Sequence, residues 1–267
     1  MLKTRVLTAL VMVAVALGAI FGLPNTPFAI IAGLVILGVG GWEASRLCGS
    51  VPKPVTWLYP LALFTVGLGL WFGPQEAHHT LWLSVVAVAW LIPMGWLGQP
   101  KARHHGIVIG ALLALMLSGA WLSLVLLHAQ NPWLIIWVLV IVAGADIGAY
   151  FTGRAIGGAK LAPAISPGKT WAGVWGGLTA AAVLAPLGAR LLPIDVPFLL
   201  PQIVLLGGLL AAISIVGDLF ISLLKRQGGL KDSSSLLPGH GGILDRLDSL
   251  GAALPFFTLA LLWLQQS

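Results

Sequence analysis

Residues Ser222–Asp248 read SLLKRQGGLKDSSSLLPGHGGILDRLD, and this charged segment determines how the rest of the apolar chain is interpreted. Cations beside several carboxylates are typical of sites that bind phosphates together with a divalent metal. Its glycines allow the backbone to approach a ligand closely, and Gly241–Gly242 lie where a new helix is expected to begin. An ordinary charged loop between membrane helices is the alternative. The ionisable side chains of the segment are Lys225, Arg226, Lys231, Asp232, His240, Asp245, Arg246 and Asp248.

The composition is that of a membrane protein. Apolar residues make up 58% of the 267 residues and charged residues only 8%, and the mean hydropathy is +1.00. A soluble domain of this length needs far more charge on its surface. The net charge of +6 is explained by basic loops on one side of a membrane, so no nucleic-acid partner is expected. The single cysteine, Cys48, cannot form an internal disulfide.

Apolar runs long enough to span a bilayer recur along the whole chain. Backbone inside a bilayer must satisfy its own hydrogen bonds, so these runs are expected to be helices. The predicted fold is therefore all-α and polytopic, with about five spans in an N-terminal part, 1–130, and about four in a catalytic part, 131–267. The nine predicted spans lie near 5–23, 27–46, 55–73, 81–98, 106–128, 132–152, 171–192, 198–224 and 249–265.

The basic residues indicate the orientation of these spans. With nine spans, thirteen of the fourteen Lys and Arg residues fall on one side, and only Arg190 falls on the other. Basic loops mark the cytoplasmic side. We therefore expect the N-terminus and the polar site to be cytoplasmic and the C-terminus to lie on the far side. The thirteen are Lys3, Arg5, Arg46, Lys53, Lys101, Arg103, Arg154, Lys160, Lys169, Lys225, Arg226, Lys231 and Arg246.

Four aspartates are expected at the cytoplasmic ends of three different spans. Carboxylates at membrane depth are costly and by default mark a functional site or a paired charge. Their convergence predicts a site for Mg²⁺, which prefers oxygen ligands and keeps waters and substrate phosphates in its shell. The predicted metal ligands are Asp146, Asp218, Asp245 and Asp248.

The spacing of these residues supports the prediction. Asp245 and Asp248 are three residues apart and would project from one helix face. Asp218, Ser222 and Lys225 also share a face. The alternative is that the two later aspartates only pair with a neighbouring base such as Lys225.

Two upstream segments carry further candidates. Ser166–Trp171 reads SPGKTW, a turn before a helix whose hydroxyls and lysine suit anion capture, although the P-loop spacing is missing. Gly144–Arg154 reads GADIGAYFTGR and places an aspartate, a tyrosine and an arginine on one helical stripe. In the second predicted span, Glu43 and Arg46 are spaced to pair at i, i+3, and a role near the site stays open for them.

These motifs together resemble the phosphatidate cytidylyltransferase (CDP-diacylglycerol synthase) family. Its signature, S-x-L-K-R, four residues, K-D, then P-x-H-G-G-x-x-D-R-x-D, is matched at every position within Ser222–Asp248. Similar upstream features are Asp146–Tyr150, Ser166–Thr170 and Gly217-Asp218-Leu219, with a looser match at Trp42-Glu43. One position departs from the pattern, because Ile221 stands where family members usually carry a glutamate.

The resemblance implies transfer of a cytidylyl group from CTP to phosphatidic acid, giving CDP-diacylglycerol and pyrophosphate. Mg²⁺ is the expected cofactor, and a second cation is left open. The implied catalytic residues are Asp218, Asp245, Asp248, Lys225 and Arg246. The implied substrate-binding residues are Ser166, Lys169, Thr170, Ser222, Arg226, Lys231 and His240.

The resemblance also implies a cytoplasmic (inner) membrane location, contact with membrane lipid and a homodimer. Three alternatives stay open at this point. A related nucleotidyl- or phosphotransferase could act on another lipid, and an ion-coupled carrier could also place acids in its helices. The third is a catalytically silent relative, because Ile221 removes a charge beside Asp218.

Overall fold

The computed structural model describes residues 2–49, 53–73 and 75–265, and the side chains of Lys3 and Lys53 lie outside the part described. Eleven α-helices, one π-helical segment and two short strands occupy these ranges. The helices are α1 (Leu2–Gly22), α2 (Asn25–Gly33), α3 (Gly41–Leu47), α4 (Lys53–Phe72), α5 (Gln75–Ala89), α6 (Leu91–Leu97), α7 (Gly106–Gln130), α8 (Pro132–Ile156), α9 (Trp171–Leu191), α10 (Leu200–Gln227) and α11 (Leu244–Gln265). The strands are β1 (Lys160–Ala162) and β2 (Ser166–Thr170).

The helices confirm a polytopic membrane protein. Within the described ranges, eight apolar stretches are long enough to cross a bilayer. The third predicted span corresponds to α4, whose described apolar part, Thr56–Phe72, is shorter than the other eight. The prediction of nine spans is therefore not confirmed as a count. Many large apolar side chains on α1, α4, α8 and α10 are exposed, as expected where helices face lipid.

Helix α7 lies at the centre of the bundle and contacts α2, α3, α4, α5, α8 and α11. One apolar core surrounds its first half and includes Leu113, Leu117 and Phe220. A second core includes Trp137, Leu210 and Phe257, from α8, α10 and α11. Both cores draw residues from the N-terminal and the C-terminal predicted parts. Helices of the two predicted parts thus pack against each other in both cores.

Small residues bring the site-bearing helices close together. A Cβ at Gly173 would lie 2.8 Å from the carbonyl oxygen of Ala149, so α8 and α9 pack backbone to backbone. A Cβ at Gly217 would overlap the backbone of Asp248, so α10 and α11 approach equally closely there. Such contacts are the usual way for helices to associate inside a bilayer. The second contact places the ends of α10 and α11 that carry acids side by side.

A two-stranded antiparallel hairpin, β1–β2, interrupts the otherwise helical fold between α8 and α9. Its turn residue Ile165 is buried against Leu219 and Leu223 of α10. The Arg226 Nε donates to the carbonyl oxygen of Ile165 at 3.4 Å. The turn expected at SPGKTW is therefore the second strand of a hairpin docked on α10.

Helix α2 continues into α3 through a π-helical segment, Leu34–Gly40. Segments of this kind are uncommon and frequently lie at functional sites. Here the segment ends immediately before α3, which carries Glu43 and Arg46. The wider helical turn changes the angular position of these residues relative to a continuous α-helix.

Candidate active site

The charged segment Ser222–Asp248 folds as a helix end, a loop and a helix start. Ser222–Gln227 form the last turns of α10, and α11 begins at Leu244. Within the loop between them, the backbones of Leu237 and Gly241 pair as an isolated antiparallel β-bridge. As predicted, Asp245 and Asp248 lie on one helix. The loop returns the chain to the same end of the bundle, so α10 and α11 present their charged ends together.

A groove of about 710 Å³ opens beside this end of the bundle. Helix α8, the hairpin and the start of α9 form its walls, and α10 contributes Ile215. The groove is therefore built from the two upstream segments that the sequence singled out. Its polar and charged lining residues are Asp146, Tyr150, Arg154, Lys160, Ser166, Lys169 and Thr170.

Lys169 connects this groove to α10. Its Nζ forms an ion pair with an Asp218 carboxylate oxygen, and the two side chains are 27% and 29% exposed. The other oxygen of Asp218 accepts from Ser222 Oγ at 3.4 Å. Asp146 lies within electrostatic range of both members of the ion pair. The structure thus brings Asp146, Lys169, Asp218 and Ser222 together at the groove wall.

Asp248 is the second acid beside this cluster. It is within electrostatic range of Asp218, Lys225 and Arg246. One of its carboxylate oxygens accepts from the Ser249 backbone N–H at 2.8 Å. The close contact at Gly217 holds α10 and α11 in this arrangement. Two carboxylates from different helices therefore face a common region.

Asp245 lies in a different environment. Its Oδ1 accepts from Lys225 Nζ at 2.6 Å, and the two side chains are only 4% and 12% exposed. Its Oδ2 accepts from the Ser233 N–H, the Ser233 hydroxyl and the Gly242 N–H at 2.8–2.9 Å. Both oxygens are occupied by protein donors. This geometry favours the ion-pair alternative for Asp245 over direct metal binding.

Glu43 lies against the signature segment rather than beside Arg46. The structure shows no Glu43–Arg46 ion pair in the described part of the chain. Instead Arg46 donates to the Ser233 carbonyl oxygen at 3.2 Å. Glu43 is fully buried and accepts from the Ser233 and Ser234 hydroxyls and the Ile243 and Leu244 N–H groups. The available signal was a lone carboxylate near the end of an apolar span. We call Glu43, Lys225, Ser233, Ser234 and Asp245 the anchor cluster.

The glycines at the start of α11 serve this cluster. Gly241 has a positive φ of 80°, and a Cβ there would lie 2.5 Å from Asp245 Oδ2. A Cβ at Gly242 would overlap the Ser233 hydroxyl and the Glu43 carboxylate. The backbone therefore approaches anions closely at Gly241 and Gly242, while close approach to an external ligand stays a prediction. The anions are the protein's own carboxylates rather than an external ligand.

The remaining predicted residues are spread around the site. Lys231, Arg246 and Arg226 are exposed, and His240 is half-buried. The Nδ1 of His240 is buried and has no hydrogen-bond partner within the described residues. Thr170 caps α9, because its hydroxyl accepts from the Gly173 N–H at 3.1 Å. Of these five residues, Thr170 lines the groove, whereas Arg226, Lys231, His240 and Arg246 do not line it.

The acids of the groove fit Mg²⁺ better than a metal held by protein alone. No group of three His, Cys, Asp or Glu side chains that could hold a metal ion occurs among residues 2–49, 53–73 and 75–265. Mg²⁺, however, is usually held by one or two carboxylates together with waters and substrate phosphates. Asp218 and Asp248, with Asp146 nearby, match that smaller donor set.

The comparisons agree with this arrangement of motifs. The sequence model described as "Cytidylyltransferase family" matches residues 3–264. The chain belongs to the cytidylyltransferase family. It is 43% identical to a phosphatidate cytidylyltransferase of Pseudomonas aeruginosa over 98% of this chain and 97% of that one. It is 36% identical to that of Haemophilus influenzae over 97% and 98% of the two chains. With that of Bacillus subtilis, it shares 43% identity over 48% of this chain and 47% of that one.

In this member of the cytidylyltransferase family, Ile221 lies away from the groove. Its side chain is fully buried in the apolar core around α7, together with Phe220 and Leu224. Asp218 and Ser222 lie on the neighbouring, half-exposed side of α10. A glutamate at position 221 would therefore enter an apolar core in this conformation. The isoleucine is the residue type that this environment favours.

Proposed function

We propose that this chain transfers a cytidylyl group from CTP to phosphatidic acid, giving CDP-diacylglycerol and pyrophosphate. The observation that carries the proposal is the groove beside the signature. Its lining offers cations and a carboxylate, while Phe151, Trp171 and Trp175 nearby are exposed as lipid-facing residues are. A substrate with a phosphate head and acyl tails needs both kinds of surface. The names of the similar proteins describe the same reaction.

The chemistry requires two polyanions to meet. A phosphate oxygen of phosphatidic acid attacks the α-phosphorus of CTP, and the bond to the β-phosphate oxygen breaks as pyrophosphate leaves. The attacking oxygen is already ionised, so no strong base is needed. Lys160, Lys169 and Arg154 face the groove and offset the repulsion between phosphates. Ser166 and Ser222 orient the phosphate oxygens by hydrogen bonds.

Asp218 and Asp248, with Asp146, would hold Mg²⁺ in this proposal. When bound, Mg²⁺ supplies charge neutralisation at the transferring phosphoryl group. Asp218 has a second task, because its ion pair orients Lys169 toward the groove. Asp245 and Lys225 act one helical turn away and fix the segment that carries Asp248. Arg226, Lys231, Arg246 and His240 are assigned to binding of the triphosphate in this proposal.

The proposal places the groove on the cytoplasmic side of the inner membrane, because CTP is a cytosolic nucleotide. The concentration of basic residues in the loops on that side supports this orientation. The C-terminus then lies on the far side. A homodimer is part of the proposal as an implication of the family resemblance.

The test is a direct assay of the purified protein in detergent. Phosphatidic acid, CTP labelled at the α-phosphate and Mg²⁺ are supplied, and the lipid product is identified by mass. We expect labelled CDP-diacylglycerol from the unaltered chain, which would also show that a glutamate at position 221 is dispensable. Omitting phosphatidic acid and substituting diacylglycerol are the matched controls.

Three outcomes would contradict the proposal. Label transferred to another lipid would indicate a related transferase with a different acceptor. Folded protein that forms no labelled lipid but carries ions across liposomes without CTP would indicate a carrier. Folded protein that does neither would indicate a catalytically silent member of the family.

A further inference from the structure

Glu43 is a buried carboxylate whose hydrogen-bond donors all come from the signature segment. It lies at 0% exposure, 190 to 201 residues away in sequence from the groups that it binds. The four donor distances are 2.9 Å to the Ser233 hydroxyl, 2.6 Å to the Ser234 hydroxyl, 3.1 Å to the Ile243 N–H and 2.7 Å to the Leu244 N–H. No Lys, Arg or His forms an ion pair with it in the described part of the chain.

The donors match the acceptor capacity of an ionised carboxylate. A carboxylate accepts at about four lone-pair positions and donates at none. Each oxygen of Glu43 has one serine hydroxyl and one backbone N–H within hydrogen-bond distance, so the four nearby groups match these four positions. Two of these donors are N–H groups at the start of α11, where the positive end of the helix dipole favours an anion. The charge of Glu43 is therefore balanced by the signature segment itself.

The contacts form a continuous path from Glu43 to the charged residues of the site. Ser233 Oγ lies 2.9 Å from a Glu43 oxygen and 2.9 Å from Asp245 Oδ2. A serine hydroxyl has one hydrogen, so that hydrogen lies between two carboxylates. Asp245 in turn binds Lys225 Nζ at 2.6 Å. Asp248 follows Asp245 by less than one turn of α11.

The membrane segment that carries Glu43 holds the loop at a second point. Arg46, one turn further along α3, donates to the Ser233 carbonyl oxygen. The π-helical segment just before α3 sets the angular position of both residues. Two side chains of one short helix thus hold the loop at Ser233. The remainder of α2 and α3 packs into the apolar core.

We infer that Glu43 is a positioning residue for the cytidylyl transfer, acting through Ser233 and the start of α11 on Asp245, Lys225 and Asp248. The predicted loss of kcat rests on the proposed function. The positioning of the loop and of the start of α11 by Glu43 does not. Glu43 is fully buried and does not touch the groove. Its loss should therefore lower kcat, because misplacement of a reacting group by about 1 Å can cost on the order of 10²-fold. The KM for CTP should change little.

The experiment compares Glu43→Gln, Glu43→Asp and a control, Trp121→Phe. Trp121→Phe removes a buried hydrogen bond to the Ala29 carbonyl oxygen of the same membrane segment and leaves the anchor cluster intact. Glu43→Gln keeps the size but turns one acceptor into a donor that faces other donors. We expect kcat to fall about 10- to 100-fold in Glu43→Gln, with the KM for CTP within about threefold. Glu43→Asp should recover part of the loss, and Trp121→Phe should keep wild-type kcat.

Two further measurements separate positioning from folding. Hydrogen exchange of residues 230–248 should accelerate in Glu43→Gln, while exchange of α7 and α8 stays unchanged. A double-mutant cycle with Ser233→Ala should give non-additive losses in kcat, because both changes interrupt one path. Additive losses, or exchange that accelerates equally throughout the protein, would overturn the inference. So would wild-type kcat in Glu43→Gln.

The exchange measurement also keeps the two proposals distinguishable. If the unaltered chain makes no CDP-lipid, the proposed function fails. Selective acceleration of residues 230–248 in Glu43→Gln would then still support the positioning of the segment by Glu43. Unchanged exchange there would overturn it.

Discussion

The groove and the anchor cluster both contain Lys–Asp ion pairs, but they differ in how far these pairs are exposed to solvent. In the groove, the Lys169–Asp218 pair keeps more than a quarter of each side chain exposed. In the anchor cluster, the Lys225–Asp245 pair is almost completely buried, and Glu43 is fully so. Charges that stay exposed can exchange their partners for a substrate or a metal. Charges that are buried with every lone pair occupied hold the protein's own segments in place.

This difference explains why sequence spacing alone could not assign the aspartates. Asp218, Asp245 and Asp248 all lie at the charged ends of spans. The anchor cluster occupies both oxygens of Asp245, whereas the donors to Asp218 within the described residues are Lys169 and Ser222. A substitution in the groove should therefore remove groups that act on substrate, whereas a substitution in the anchor cluster should loosen the segment that carries Asp248, with a cost in stability, in turnover or in both.

The largest expected effect is that of Asp218→Asn on turnover. The change removes a charge from the groove wall, releases Lys169 and weakens the proposed Mg²⁺ site. We expect kcat/KM to fall about 10²–10³-fold, with little change in the unfolding midpoint, because the site is partly exposed. The measurement is the CTP assay at several Mg²⁺ concentrations. Asp195→Asn, in the loop between α9 and α10, is the matched control and should keep wild-type turnover. Wild-type turnover in Asp218→Asn would remove Asp218 from the site.

The next effect is that of Lys225→Met on stability. Removing one member of a buried ion pair leaves the other as an uncompensated charge, which costs about 3–5 kcal/mol. We expect Lys225→Met to lower the unfolding midpoint in detergent more than any single change in the groove. The double variant Lys225→Met/Asp245→Asn should recover part of that loss, because no unpaired charge remains. A double variant less stable than the single one would contradict this account of the anchor cluster.

Much of the fold followed from the sequence because its signals are local. Apolar runs of bilayer length predict helices wherever they occur, and the three-residue spacing of Asp245 and Asp248 predicted one shared helix. The hairpin was missed because SPGKTW contains a proline and a glycine, which are typical of turns. The partners of Glu43 could not be predicted, because they lie about 190 to 200 residues away in sequence. Only packing of α3 against the start of α11 brings them together.

Ile221 is a residue that spacing placed near the site and that the structure places in the apolar core. Its position three residues after Asp218 predicts proximity on a helix, and a glutamate there was expected to influence the site. The structure buries this side of α10 against the core around α7. The helix phase that separates a core residue from a groove residue depends on which neighbours pack on each side. The sequence shows how residues are spaced around the helix, but it does not show which elements pack against each side.

The smallest expected effect concerns Thr170, which stands at the edge between the two kinds of environment. It was predicted to bind substrate and lines the groove, but it is 5% exposed and its hydroxyl caps α9. Replacing a capping threonine by alanine typically costs about 1 kcal/mol. We therefore expect Thr170→Ala to lower the unfolding midpoint slightly and to leave the KM for CTP nearly unchanged.

The comparison with two neighbouring variants makes this prediction decisive. Thr170→Ser keeps the capping oxygen and should match the wild type in both stability and KM. Ser166→Ala, at a half-exposed position on the same strand, should raise the KM without lowering the unfolding midpoint. A large rise in KM for Thr170→Ala at unchanged stability would mean that its hydroxyl donates to substrate while it accepts from Gly173. The boundary of the groove would then lie one residue deeper, at the start of α9.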